Sequence, residues 1–197
     1  MNSPYNFVVE PIGSRYNNKK SIGEKSLILI TEIFNHEFIN RLAIVLAVPS
    51  VLKDHGIKVG DTVIVHHNVF RRWHDIRGDE RNSKSFFNEQ TYIVGLDQIF
   101  LYKNNDQWKA PKGFCFVQPI KNNEKFSLDI EHATKGVIKY TDGSFDVGDI
   151  VGFEPFSKYE FVIDKEKLYR VYSKFITIKY EYQGDEETYN PSWAQSS

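Results

Sequence analysis

Ile57-Lys58-Val59-Gly60-Asp61-Thr62-Val63-Ile64-Val65 returns later in the chain as Phe145-Asp146-Val147-Gly148-Asp149-Ile150-Val151-Gly152-Phe153. In both copies an apolar residue and a polar one lead into Val-Gly-Asp. Gly60 and Gly148 suit the positive φ of a tight turn, and Asp61 and Asp149 are expected to cap it by bonding backbone donors two residues on. A strand leaves each turn, because Thr62-Val63-Ile64-Val65 and Ile150-Val151-Gly152-Phe153 are rich in the β-branched and aromatic residues that suit a pleated, half-buried surface.

The register extends outward from the turns. Val8-Val9-Glu10-Pro11-Ile12 matches Phe116-Val117-Gln118-Pro119-Ile120, and Ala43-Ile44-Val45 matches Gly136-Val137-Ile138. Downstream, Tyr92-Ile93-Val94 and Ile99-Phe100-Leu101 match Tyr169-Arg170-Val171 and Ile176-Thr177-Ile178. The same blocks recur in one order, so the chain reads as a duplicated all-β unit. The expected division is 1–106, 107–182 and a polar, acidic tail over 183–197, which by composition is loose.

Composition narrows the function classes. The aromatic share is 15%, with 11 Tyr and 15 Phe, which favours sheets over a helical bundle. A net charge of -1 gives no global field to gather nucleic acid or an anionic membrane. One cysteine, Cys115, excludes an intramolecular disulfide and reads as a small buried residue in a strand. No secretory leader is recognisable at residues 1–5, and the apolar stretch 42–52 is too short to span a bilayer as a helix. The expected setting is therefore soluble and cytoplasmic.

Residues 13–26 are polar and basic, with Arg15, Lys19, Lys20 and Lys25, and are expected to be mobile. The character then flips to the continuous run Leu27-Ile28-Leu29-Ile30. The matching part of the second unit, 121–135, carries only Phe126, Leu128 and Ile130 in alternation, so the fold does not require four contiguous aliphatic residues there. That difference favours an exposed binding anchor over a buried strand.

The search for chemistry is negative. The chain has no Gly-x-x-x-x-Gly-Lys loop, no His-Glu-x-x-His, no Cys-x-x-Cys and no Gly-x-Ser-x-Gly elbow. His66 and His67, read as neighbours in a strand extension, point to opposite faces and do not chelate one metal. The loop 70–87 mixes Arg71, Arg72, Trp73, Arg77 and Arg81 with Asp75, Asp79 and Glu80. It reads as a solvated hairpin, with single-stranded nucleic acid as the less favoured reading. The expectation is a protein that is not an enzyme and uses no cofactor or metal.

The first strand ending in Pro11, the segment Ile28-Leu29-Ile30-Thr31, the strand Ile44-Val45-Leu46-Ala47-Val48, Lys58-Val59-Gly60-Asp61-Thr62-Val63-Ile64 and the closing strands between Tyr92 and Leu101 together resemble the GroES-like co-chaperonins. The resemblance covers 5–103 well and 112–180 more weakly. It implies two tandem GroES-like β-barrels and a mobile loop that docks on a GroEL-type chaperonin. The docking residues it implies are Leu27, Ile28, Leu29 and Ile30, with Ile28-Leu29-Ile30 or Leu27-Ile28-Leu29 as the frame. It further implies self-assembly into a ring, sevenfold in that family. Residues 49–58 are too short for the family's roof hairpin, 70–87 is longer than usual, and the second unit lacks the aliphatic tripeptide. These departures resemble phage-encoded co-chaperonins in the lost roof and plastid ones in the fused units. The alternative is a structural or adaptor protein, such as a virion component, built on the same duplicated barrel.

Overall fold

A computed structural model describes residues 3–16, 39–123, 129–182, 184 and 186–195, together with the backbone of 19–22 and 25–28. The chain divides into two compact units, Met1–Trp108 and Lys109–Ser197.

Unit 1 contains β1 (Phe7–Pro11), β2 (Lys19–Ile22), β3 (Lys25–Ile28), β4 (Leu42–Ala47), β5 (Thr62–Val65), β6 (Arg72–His74), β7 (Glu80–Asn82), β8 (Phe86–Asn88), β9 (Thr91–Val94), β10 (Ile99–Asn104) and β11 (Gln107–Lys109). Its main sheet has the order β11-β10-β5-β4-β1-β9-β8, while β2 pairs with β3 and β6 with β7 as separate hairpins. Unit 2 contains β12 (Phe114–Lys121), β13 (Glu131–Tyr140), β14 (Ile150–Phe153), β15 (Lys158–Ile163), β16 (Glu166–Tyr172), β17 (Ile176–Tyr180) and the short helix α1 (Ser192–Gln195). Its sheet order, β17-β14-β13-β12-β16-β15, repeats β10-β5-β4-β1-β9-β8 strand for strand.

The match extends to register. Val9 faces Val45 and Pro11 faces Ala43 in unit 1, where Val117 faces Ile138 and Pro119 faces Gly136 in unit 2. A bulge falls between Val8 and Val9 and again between Phe116 and Val117. Tyr92 faces Val9 as Tyr169 faces Val117, and Ile99 faces Val65 as Ile176 faces Phe153. Short 3-10 turns at Leu96–Gln98 and Ser173–Phe175 enter β10 and β17. A one-residue slip anywhere would turn the buried faces outward, so agreement across these ladders is a strong constraint.

The repeated Val-Gly-Asp stretch is the turn that sets this register. Gly60 and Gly148 have φ of 90° and 93°, in the region that favours glycine. Their N–H groups donate to Val45 O at 2.8 Å and Ile138 O at 2.9 Å, tying each turn to the preceding strand. The aspartates reach back, not forward as the sequence reading has it: Asp61 accepts from Lys58 N–H at 2.8 Å and Asp149 from Asp146 N–H at 3.0 Å. With the glycine folding the chain, that earlier amide is the unpaired donor facing the carboxylate.

Of three further expectations, one is met in part and two are corrected. The chain is all-β with antiparallel main sheets, and among the described residues neither main sheet closes, both orders ending on open edges. In unit 1 the edge strand β8 is three residues long and slips register between Phe86 and Asn88, leaving little ladder for closure. The strand carrying Val65 ends there, so His66 and His67 lie in a turn with ring centroids 4.2 Å apart and do not project to opposite faces. The tail is docked where it is described. Thr188 bridges to Ile120, Tyr189 N–H donates to Pro119 O at 2.8 Å, and Asn190 accepts from Lys167 N–H at 3.1 Å. Pro119 and Ile120 lie beyond the β12–β16 ladder, which ends at Val117 facing Tyr169, so a polar segment gains hydrogen bonds by covering that side of β12.

Candidate interaction site at the root of a long connection

The connection between β1 and β4 is where the two units differ most, and its root is built from buried side chains. Tyr16 and Ile39 form an isolated antiparallel bridge, each about 5% exposed, and belong to the core of unit 1. Asn40 fixes the crossing. Its Nδ2 donates to Ile12 O at 2.6 Å and Ser14 O at 3.0 Å, its Oδ1 accepts from Leu42 N–H at 3.0 Å, and its own N–H donates to Arg15 O at 2.9 Å. One buried residue, three times through its side-chain amide and once through its backbone N–H, thereby satisfies four groups that would otherwise be stranded where the chain leaves the sheet. The result is a neck that holds 16 and 39 together whatever the residues beyond them do.

Beyond the neck, β2 and β3 pair with Lys19 opposite Ile28 and Lys20 opposite Leu27. The stretch 13–26, expected to be mobile, contains β2 and the first residues of β3. Of the four candidate docking residues, Leu27 and Ile28 end strand β3, while Leu29 and Ile30 lie outside the described residues. The residues compared with them in unit 2, Phe126 and Leu128, also lie outside, and Ile130 is exposed.

The neck is tied to the root of a second projection, the β6–β7 hairpin. Arg15 donates through Nε and Nη2 to Phe70 O at 3.3 and 3.2 Å and through Nη2 to Asn82 Oδ1 at 2.7 Å. Its guanidinium also lies 5.5 Å over Phe86 and 5.6 Å over Tyr92. The Tyr16 hydroxyl accepts from Arg72 N–H at 2.7 Å and donates to Arg72 O at 3.3 Å. The Tyr92 hydroxyl is buried with no hydrogen-bond partner among the described residues, and burial raises its pKa. Loop composition alone signals none of this, because the partners are 55 to 67 residues apart.

Unit 2 carries a polar cluster that the sequence reading missed. The Lys167 ammonium lies 2.9 Å from Glu131 and 2.8 Å from Glu160, the Tyr169 hydroxyl donates to Glu131, and the Lys158 ammonium lies 4.0 Å over the Tyr169 ring. Burial opposes the charge on Lys167, but its bonds to the two glutamates outweigh burial and hold the ammonium above its ordinary pKa. Burial, with the bond to Glu131, pushes the Tyr169 phenol up. A usable signal was present: Lys167 shares a strand face with the core residues Tyr169 and Val171, where a charged residue needs a partner. The cluster is internally neutralised and fits a structural lock.

Cys115 is fully buried with its thiol 3.4 Å from Ser173 Oγ, and burial raises its pKa, which suits a core residue more than a nucleophile. Among the described residues no group of three His, Cys, Asp or Glu side chains converges as a metal site, and no helix is long and apolar enough to cross a membrane. Comparison with protein-family models, curated proteins and solved structures returned no match, so the functional reading rests on geometry and sequence pattern.

Proposed function

We propose that the protein is a GroES-like co-chaperonin that caps a GroEL-type ring through residues 27–30 and assists folding without nucleotide hydrolysis or a cofactor of its own. The observation that carries this reading is the buried neck. Two units share one strand order and register, yet only unit 1 opens its first connection into a long segment with four contiguous aliphatic residues, held on a fixed root. A segment that leaves the sheet through a fixed root can order on a partner while the sheet stays folded.

The energetics require several copies. Ordering about ten loop residues costs on the order of 10 kcal/mol, while burying three aliphatic side chains returns roughly 1.5–3 kcal/mol each, so one loop binds weakly. A ring presenting one loop per chain makes later contacts intramolecular. Self-assembly, sevenfold by the resemblance, is thus part of the proposal, as are two barrel-like units and a cytoplasmic setting, the host's if the chain is viral.

The test is co-sedimentation with a purified bacterial GroEL-type ring and nucleotide, together with light scattering. Retention of the wild-type chain and its loss in Ile28→Asp with unchanged melting are expected. Only monomers in both the free and the ring-bound protein would count against the cap. The open edges of both sheets favour the second reading, a structural or adaptor protein, since an unpaired edge invites a neighbouring strand. Co-purification with assembled particles and no retention by the ring would establish that reading instead.

A further inference from the structure

The β6–β7 hairpin has no counterpart in unit 2, where a four-residue turn over 154–157 joins β14 to β15. Its tip is unusually well fixed for a surface insertion. Asp75 Oδ1 accepts from Arg77 N–H at 2.9 Å and Asp79 N–H at 3.1 Å, while Oδ2 receives Arg81 Nε at 2.9 Å and Nη2 at 2.7 Å. Backbone bonds from Asp75 N–H to Asp79 O and from Gly78 N–H to Asp75 O complete the turn. The Arg81 guanidinium beside Asp75 holds its carboxyl below the usual carboxylate range.

This clamped turn presents Ile76, which is fully exposed, and Trp73, about a third of whose surface is open, lies further down the hairpin. Turns on solvated surfaces favour Gly, Asn, Asp and Ser, and nothing in the turn's own geometry calls for isoleucine at this place. Arg77 follows it, exposed, and no carboxylate pairs with its guanidinium among the described residues. The hairpin's carboxylates are otherwise engaged, Asp75 and Asp79 by Arg81 and Glu80 by Arg72. The tip is therefore an apolar knob beside an uncompensated cation.

Both projections of unit 1 leave from one patch, because Arg15 and Tyr16 at the neck bind Phe70, Arg72 and Asn82 at the hairpin root. We infer that the β6–β7 hairpin is a second docking element for the partner that takes residues 27–30, with Ile76 entering an apolar pocket and Arg77 meeting acidic side chains on its rim. This rests on the co-chaperonin reading for the partner's identity. A rigid knob loses little conformational freedom on binding, so it supplements a loop that must be ordered on contact.

The experiment measures half-saturating concentrations of wild type, Ile76→Asp, Ile76→Leu and Arg77→Glu on a purified bacterial GroEL-type ring with ADP, with melting curves for each. Expected are about a tenfold or greater weakening in Ile76→Asp, near-wild-type binding in Ile76→Leu, and in Arg77→Glu weaker binding with a smaller loss of affinity on adding salt. All four should melt alike, since the substituted side chains are exposed. Wild-type binding with Ile76→Asp and Arg77→Glu unchanged overturns the second element and leaves the cap intact. Failure of wild type itself to bind overturns both, and weakening in Ile76→Asp and Ile28→Asp with no salt effect in Arg77→Glu overturns the acidic rim.

Discussion

The cores of the two units can be compared residue by residue. Unit 2 packs Cys115, Val117, Ile138, Val151, Phe153, Tyr169, Val171 and Ile176, and these stand where unit 1 has Phe7, Val9, Val45, Val63, Val65, Tyr92, Val94 and Ile99. The residues unit 1 adds are chiefly Tyr16 and Ile39 from the neck, Val69 and Phe70 from the hairpin root, and Tyr102 near the repeated turn, while Ile57 answers to Phe145, which packs partly buried on the unit 2 core. The difference teaches that an elaboration of this fold comes with its own core. Each projection is anchored by apolar residues beneath it, so the common sheet does not bear it alone.

The comparison breaks most sharply at Glu131. Glu131→Ala would leave Lys167 with Glu160 as its one close carboxylate and take the carboxylate acceptor from the Tyr169 hydroxyl; a loss of about 3 kcal/mol is expected from urea unfolding, since removing one member of a largely buried ion cluster leaves charge uncompensated. Next comes Gly136, the counterpart of the buried Ala43. A β-carbon there would stand 2.5 Å from Gln118 O and 2.4 Å from Val117 Cγ1, so Gly136→Ala should cost about 2 kcal/mol, while Ala43→Gly costs about 1 kcal/mol through chain entropy. Thermal midpoints that move little for Gly136→Ala would mean that the two ladders are more alike than their spacing indicates.

The paired tyrosines sharpen the same contrast. Tyr169→Phe removes a bond to a carboxylate and should cost about 1.5 kcal/mol, whereas Tyr92→Phe removes a buried hydroxyl with no partner among the described residues and should be neutral or slightly stabilising. Equal losses in denaturant midpoint would refute the asymmetry. The repeated turns, by contrast, should behave as twins: Gly60→Ala and Gly148→Ala each place a side chain at positive φ with open space around it, for about 1 kcal/mol apiece. Hydrogen exchange in each unit would detect a difference between them.

The smallest effect concerns acid. Burial opposes ionisation of Asp142, but hydrogen bonds from Ser144 N–H, Gly113 N–H and the Ser173 hydroxyl outweigh it and hold the carboxyl below its ordinary value. Because the folded pKa is the lower one, the contribution is complete above the unfolded value of about 3.9 and drains away as pH falls through the folded value. Unit 1 has Pro49 at the corresponding step past its strand and lacks this device. Asp142→Asn should lower stability at neutral pH and flatten its decline below about pH 4; an unchanged acid limb would rule out the assignment.

What the sequence revealed, and what it hid, follows from the range of the interactions. Val-Gly-Asp followed by β-branched residues is a local signal, and two copies in one order made the correspondence of strands legible, whereas the pairing of Val9 with Val45 and of Val117 with Ile138 joins segments distant in sequence and emerged only from the structure. Asn40 was not legible, because its amide acts on carbonyls 26 and 28 residues away. Nor were closure and tail docking, since both depend on which backbone groups remain unpaired once the ladders exist. The candidate segment 27–30 was visible as composition, while the neck that gives it meaning emerged only from Tyr16 meeting Ile39.

The long connection through the neck also has a kinetic consequence. Pairing β1 with β4 closes a loop roughly three times longer than pairing β12 with β13, an added entropy of about 1 kcal/mol before any contact compensates it. If these central ladders form in the folding transition state, unit 2 should assemble several-fold faster than unit 1 and stand complete while its neighbour is still searching. Pulsed hydrogen exchange during refolding would show the amides of Val117 and Ile138 protected ahead of those of Val9 and Val45; the reverse order would mean that the hairpins of unit 1 form early and shorten the loop.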